Sequence, residues 1–309
     1  MTSSASNKLK CGLQRQRGRE WRESAIRSGL LMCALVSVLT TAAIIGVLAF
    51  ESSTFFREVP VTEFLFGTRW APLLEPRSFG VLPLLCGTLL VVAGAGLIAL
   101  PMGLGSAIYL SEFASSRMRT LLKPVLEVLA GIPTVVYGYF ALTFITPLLQ
   151  DVFPSTEVYN AASGAIVVGI MVLPMVTSLC DDALRAVPDS MRTAGYALGA
   201  TQFEVTTRVL TPAALSGILA AFVLALSRAV GETMAVTLAS GSTPNLTLNP
   251  LEQIQTMTSF IVSISKGDTP AGTIEYQSLF AVGALLFVIT LAMNVASNRI
   301  MRRFKESYE

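Results

Sequence analysis

Six stretches of this chain contain no Asp, Glu, Lys or Arg: Leu30 to Phe50, Ser78 to Ser111, Val128 to Gln150, Val158 to Cys180, Val209 to Ser227 and Tyr276 to Asn298. A helix needs about 20 apolar residues to cross the hydrocarbon layer of a bilayer, and each stretch is near or above that length. Of the 309 residues 52% are apolar and only 14% are charged. A soluble domain carries roughly 25% charged residues, so this chain lacks the charge to coat a water-facing surface. The expected fold class is all-α and integral to a membrane, with six transmembrane helices.

Charge placement gives the orientation. Residues 1–27 hold Lys8, Lys10, Arg15, Arg17, Arg19, Arg22 and Arg27, and the other end holds Arg299, Arg302, Arg303 and Lys305. With both termini inside, Arg117, Arg119, Lys123, Arg185, Arg192 and Arg208 also fall inside, and only Arg57, Arg69, Arg77 and Lys266 fall outside. Short cytoplasmic loops carry the excess of Lys and Arg, so both termini are expected in the cytoplasm of a bacterial cell, with the chain multi-pass in its inner membrane. The basic N-terminal segment, lying beside a span, reads as this orientation signal and not as a nucleic-acid site. The first apolar stretch is too long for a cleaved signal peptide, and Ala49 to Ser52 is a poor cleavage site, so a retained helix is expected.

The expected organisation has a basic cytoplasmic tail over 1–27. The first transmembrane helix and a periplasmic segment occupy 28–78, with the helix at 28–50. A permease domain follows over 79–300, and a second tail over 301–309. Within the domain, helices are expected near 79–110 with kinks at Pro83 and Pro101, and then at 121–149, 161–181, 213–239 and 276–298. An inner loop over 182–212 and an outer loop over 241–275 separate the later helices. Gly87, Gly94, Gly96, Gly103, Gly105, Gly164 and Gly169 recur at spacings that let helices approach closely.

Several chemistries are excluded. The cysteines, Cys11, Cys33, Cys86 and Cys180, avoid the expected outer loops, so no disulfide framework or metal cluster is indicated. Histidine is absent, which removes the commonest metal ligand and general base. No G-x-x-x-x-G-K-[ST] loop occurs, so the chain has no ordinary cradle for ATP phosphates. It reads as a transport subunit and not an enzyme, with no cofactor of its own.

Asp189 to Pro212, D-S-M-R-T-A-G-Y-A-L-G-A-T-Q-F-E-V-T-T-R-V-L-T-P, is polar enough to sit in water. Asp189 is placed to cap a helix, Met191 to Leu198 form about two turns, Gly199 ends them, and Phe203 to Leu210 form a second helix. Pro212 starts the next span, where a missing N–H costs little. A helix-Gly-helix element lying along the membrane face suits a mechanical task. The segment resembles the E-A-A-x-x-x-G loop of binding-protein-dependent ABC transporter permeases, the type I, MetI-like family. Thr193, Ala194 and Gly195 stand in the E-A-A places, Gly199 in the Gly place, Val209 in the Ile place and Pro212 in the Pro place. Thr193 replaces the usual Glu and Thr211 the usual Leu. The resemblance implies a type I permease fold and an ATPase-coupling element comprising Thr193, Ala194, Gly195, Gly199, Thr201, Val209 and Pro212.

Leu226 to Thr237, L-S-R-A-V-G-E-T-M-A-V-T, puts two charges inside the fifth span. On a continuous helix Arg228 and Glu232 share a face about 6 Å apart along the axis, with Arg228 about 22 Å from Ala213, in the outer half of the membrane. Charge there is expensive and faces a cavity or a partner. One reading is a structural ion pair. The other is an anion site, in which the Arg228 fork bonds two phosphate oxygens, while Glu232 neutralises it when the path is empty and aids release. The string G-E-T-M-A-V resembles the phosphate-specific transport permeases of the PstC type. The resemblance implies import of inorganic phosphate beside a sister permease of the PstA type, two ATP-binding subunits that hold ATP and Mg, and a periplasmic phosphate-binding protein. A permease for another oxyanion (phosphonate, molybdate or sulfate) and a secondary anion transporter are the alternatives.

Overall fold

The computed structural model describes residues 3–267 and 269–305, with side chains from residue 21 to 300 apart from residue 268. Readings that involve the side chains of Lys8, Lys10, Arg15, Arg17, Arg19, Arg302, Arg303 and Lys305, or residues 306–309, lie outside the described residues. Residues 1–51 and 52–309 form two compact units. Among the described residues five helices are long and apolar enough to cross a membrane, or six with the bent pair Gln202–Ala213 and Leu215–Val230 taken as one span.

Helix α1 spans Ser3–Glu58. A separate tail and a helix confined to 28–50 were expected; instead one helix runs through both. No proline interrupts this stretch, and Pro60 follows its end. In the first unit its apolar side chains, Leu30, Leu39 and Phe50 among them, face outward.

The second unit opens with a small aromatic cap. Helix α2 (Val61–Phe66) and the antiparallel pair β1 (Trp70–Ala71) and β2 (Ser78–Phe79) surround buried Phe55, Phe64, Trp70 and Phe79. The rings meet edge to face, with Trp70 and Phe260 at 4.8 Å between centroids. Such pairs add to the stabilisation from burial alone.

Helix α3 (Leu82–Phe113) is unbroken over 32 residues. The expected kink at Pro83 is not found, because Pro83 lies in the first turn, where no donor is needed. The expected single helix 121–149 divides into α4 (Ser116–Gly131) and α5 (Thr134–Val152). Pro133 forces its predecessor Ile132 to extended angles, φ −66 and ψ 129. Helix α6 (Ala161–Arg185) is capped by Asn160, whose Oδ1 accepts from Ser163 N at 2.8 Å. It runs one turn beyond its expected end.

The core is the seam of α3 and α6. Val91, Val92, Ala95 and Ala99 interleave with Val167, Val168, Val172 and Val176. A Cβ on Gly103 would lie 2.6 Å from Val176 Cγ1, so this approach requires glycine. Among the described residues a Cβ on Gly105 would meet nothing within 4 Å, so no helix approach within this chain requires that glycine.

The later elements are α7 (Asp189–Ala197), α8 (Gln202–Ala213), α9 (Leu215–Val230), α10 (Met234–Ser240), α11 (Met257–Lys266) and α12 (Ile274–Lys305). The expected outer loop 241–275 contains helix α11 and is partly core. Its segment from Ile254 to Phe260 is buried. Met257 N donates to Thr88 Oγ1 at 3.0 Å, and Pro250 O accepts from Ala162 N at 2.7 Å. Irregular backbone beside apolar spans is tolerated where protein groups satisfy it.

Candidate functional site

The residues expected to carry function fall into two constellations. The first is the α7–α8 element. Pro188 is the cap position, and Asp189 is the first helical residue, so the capping role expected of Asp189 is not what it does. Its carboxylate instead accepts from Arg192 Nη1 at 3.0 Å. Thr193 and Ala194 are exposed, and the Thr193 hydroxyl donates to Asp189 O at 3.0 Å. Gly195 is buried, and a Cβ there would meet Val205 Cγ2 at 2.9 Å. Gly199 ends α7 at φ +82, a left-handed conformation that disfavours any side chain. Thr201 then caps α8 in a reciprocal box with Glu204. Val209 is half-buried in a wide turn, Thr206–Leu210. Pro212 has no N–H to give to the helical ladder, and Thr211 bonds back to Thr206 O. The axis turns by 68° before α9. Tyr196, Leu198 and Phe203 are exposed on this element, Leu198 to 89%.

Arg192 fastens the element to the bundle, a role that sequence reasoning missed. Nη1 donates to Val187 O at 2.9 Å and Nη2 to Leu184 O at 2.9 Å, at the end of α6. Nη2 also pairs with Glu112 Oε1 at 3.1 Å, in the last turn of α3. Burial alone would lower the affinity of this guanidinium for its proton. The hydrogen bond and charge of Glu112, with Asp189 adding to them, outweigh that and hold it above the ordinary arginine value. Gln202 Nε2 donates to Glu112 O, a second tie to α3.

The second constellation surrounds Arg228. The structure corrects the shared face expected for Arg228 and Glu232. Gly231 ends α9 and a new helix starts at Met234, so the continuous helix that would set the two residues on one face is interrupted. Glu232 is buried, 4% exposed, and its Oε1 accepts from Ala235 N at 3.3 Å. Its carbonyl accepts from Thr258 Oγ1 at 2.7 Å. Among the described residues no ion pair joins Arg228 to Glu232.

Arg228 is exposed on α9 and lines a cavity of about 380 Å³. The other charged groups on its wall are Lys123 and Glu127 from α4 and Asp181 from α6. Asp181, only 2% exposed, pairs with Lys123 Nζ at 3.1 Å, Arg185 Nε at 2.8 Å and Arg119 Nη2 at 3.6 Å. The sequence carried one signal for this cluster, the i,i+4 spacing of Asp181 and Arg185. The involvement of α4 follows only from tertiary packing.

Residues 99–307 match the family described as binding-protein-dependent transport system inner membrane component. The chain is 34% identical to the probable ABC transporter permease protein YqgH of Bacillus subtilis, over 89% of each chain. It is 32% identical to the phosphate transport system permease protein PstC of Mesorhizobium japonicum, over 92% of this chain and 94% of that one. It is 36% identical to phosphate transport system permease protein PstC 1 of Mycobacterium tuberculosis, over 73% of each. Among solved structures, the inward-facing MetNI methionine ABC transporter aligns with a TM-score of 0.57 at 18% identity. That alignment covers 75% of this chain and 99% of that one, a likeness of fold.

Proposed function

Because the chain belongs to the binding-protein-dependent transport system inner membrane component family, we propose that it is the permease subunit through which an ATP-driven importer moves inorganic phosphate into a bacterial cell. The observation that carries the anion reading is Arg228: a guanidinium within an apolar span, without an ion pair among the described residues, on a cavity wall. The names of the relatives at 32% and 36% identity support phosphate as the anion.

Phosphate carries one to two negative charges at neutral pH, and the cell interior is negative. Inward movement of one charge costs about 2.3 kcal/mol per 100 mV. A passive pore would therefore leak phosphate outward, and import needs an energy source. The chain holds a docking element but no phosphate-cradling loop, so ATP and Mg belong to two partner ATPase subunits. The exposed Tyr196, Leu198 and Phe203, with Thr193 and Ala194, form the face those subunits meet. Arg192 passes their motion to α3 and α6 through Glu112 and Leu184. The excess of Lys and Arg puts this element and both termini in the cytoplasm. The aromatic cap and the 241–275 segment then face the periplasm and receive a phosphate-binding protein. A sister permease of the PstA type supplies the other half of the path.

The test is uptake of radiolabelled phosphate by the reconstituted complex with competing unlabelled anions. Excess sulfate or molybdate should leave uptake unchanged, and excess phosphate should abolish it. Equal competition by sulfate or molybdate would assign the permease to another oxyanion.

A further inference from the structure

The Arg228 cavity holds more positive charge than the anion site proposed above uses. Lys123 on α4 and Arg228 on α9 both line it. Arg119 and Arg185 stand behind Lys123 around the same buried carboxylate, Asp181. On the wall itself Lys123 and Arg228 face two carboxylates, Asp181 and Glu127, and the Asp181 charge is also met from off the wall by Arg119 and Arg185. The exposed Ser178 hydroxyl also lines the wall, and no hydrogen bond engages it among the described residues. A cavity of about 380 Å³ falls within the size range of small-molecule sites.

Asp181 is the unusual member. A carboxylate 2% exposed with three cations around it is over-compensated. Arg185 Nε alone, at 2.8 Å and on the same helix, makes the short charge-assisted bond that satisfies it. Lys123 is 45% exposed, and its ammonium has three donors, of which Asp181 takes one. It is a mobile point charge on a long stem, free to exchange one oxygen partner for another.

We propose that Lys123 is a second phosphate-binding residue of the path, which leaves Asp181 to meet the anion in the cavity between α4, α6 and α9, with Ser178 as an auxiliary donor. This rests on the reading of Arg228 as an anion contact. Phosphate handed on from Arg228 displaces the Asp181 carboxylate from Lys123, and Asp181 remains paired with Arg185. When Lys123 returns to Asp181, the anion loses its partner and is released. Glu127, on the same wall, repels the anion and favours departure.

The experiment is radiolabelled phosphate uptake by the complete transporter in proteoliposomes, comparing Lys123→Gln, Lys123→Arg and Arg228→Gln. Loss of one charge-assisted contact predicts that Lys123→Gln lowers the maximal rate about tenfold. Half-saturation stays unchanged, because the binding protein captures phosphate, and the ATPase co-purifies in normal amount. Lys123→Arg should retain at least half the wild-type rate. A wild-type rate in Lys123→Gln overturns the proposal, as does a Lys123→Arg variant as slow as Lys123→Gln. If Arg228→Gln is inactive while Lys123→Gln runs at the wild-type rate, only the Lys123 role falls. If Arg228→Gln runs at the wild-type rate, the anion reading of the cavity falls and the Lys123 role with it.

Discussion

Two arginines of this chain, Arg192 and Arg228, differ in every respect that matters for function. Arg192 spends its guanidinium on four acceptors, Val187 O, Leu184 O, Asp189 and Glu112, and is only 18% exposed. Arg228 has no hydrogen bond or ion pair among the described residues and faces a cavity. A guanidinium with its donors satisfied holds elements together. One with free donors within an apolar span is available to an anion. The comparison separates a guanidinium that ties elements together from one with free donors on a cavity wall.

The largest expected effect breaks the second half of that comparison. Arg228→Gln should lower phosphate uptake at least a hundredfold, in line with loss of a bidentate charged contact, while the complex still assembles. Uptake and ATPase co-purification measured on one preparation check both statements. Arg192→Met tests the first half. It strands Glu112, 7% exposed on its side chain, without its cation. Breaking such a pair costs about 3 kcal/mol, so the expected outcome is weakened ATPase association together with a lower melting temperature. If Arg192→Met instead assembled normally and lost only uptake, the division of labour between the two arginines would be reversed.

Smaller changes sharpen the picture within the α7–α8 element. Gly199→Val places a β-branched residue at φ +82, at a cost of about 1–3 kcal/mol. Beyond its chain neighbours, nothing among the described residues lies within 4 Å of the new Cβ, so the cost is backbone strain and not a clash. ATP hydrolysis stimulated by loaded binding protein should fall while basal hydrolysis persists. Thr201→Ala removes one side of the capping box and should cost about 1 kcal/mol, read as faster hydrogen exchange at Gln202 to Val205.

The least effect is expected at Glu252, where side-chain hydrogen bonds from Thr247, Asn249 and Asn245 hold the carboxyl below its ordinary value. A depressed carboxyl stabilises the fold above its unfolded value of 4.5, and that contribution is lost as pH falls through the lower folded value. Glu252→Gln should therefore loosen residues 245–253 slightly at neutral pH, with no further loosening on acidification, as judged by limited proteolysis.

The sequence was most legible where a local rule governs the backbone. Gly199 and Pro212 punctuate the α7–α8 element through their own φ and N–H limits. The apolar runs mark the spans because no other solvent suits them. The break at Pro133 follows a local rule too, yet it was missed: Pro133 splits α4 from α5 in a stretch read as one helix. The division at Gly231–Thr233 was not legible, because it depends on Glu232 turning back to Ala235 N and receiving Thr258 from a segment 26 residues away. Asp181 and Lys123 meet across α6 and α4, and Arg192 reaches Glu112 from 80 residues away. A serine- and threonine-rich stretch read as an outer loop is core from 254 to 260, since its hydroxyls bond the protein itself. Charge pairing and hydroxyl satisfaction over such distances leave no periodic trace.

The most direct measurement is phosphate uptake into vesicles bearing the complete complex, with and without ATP on the ATPase side, for the wild type and Arg228→Gln. The account predicts uptake only with ATP, only in the wild type, and against a phosphate gradient. Uptake without ATP, or at the wild-type rate in Arg228→Gln, would contradict it.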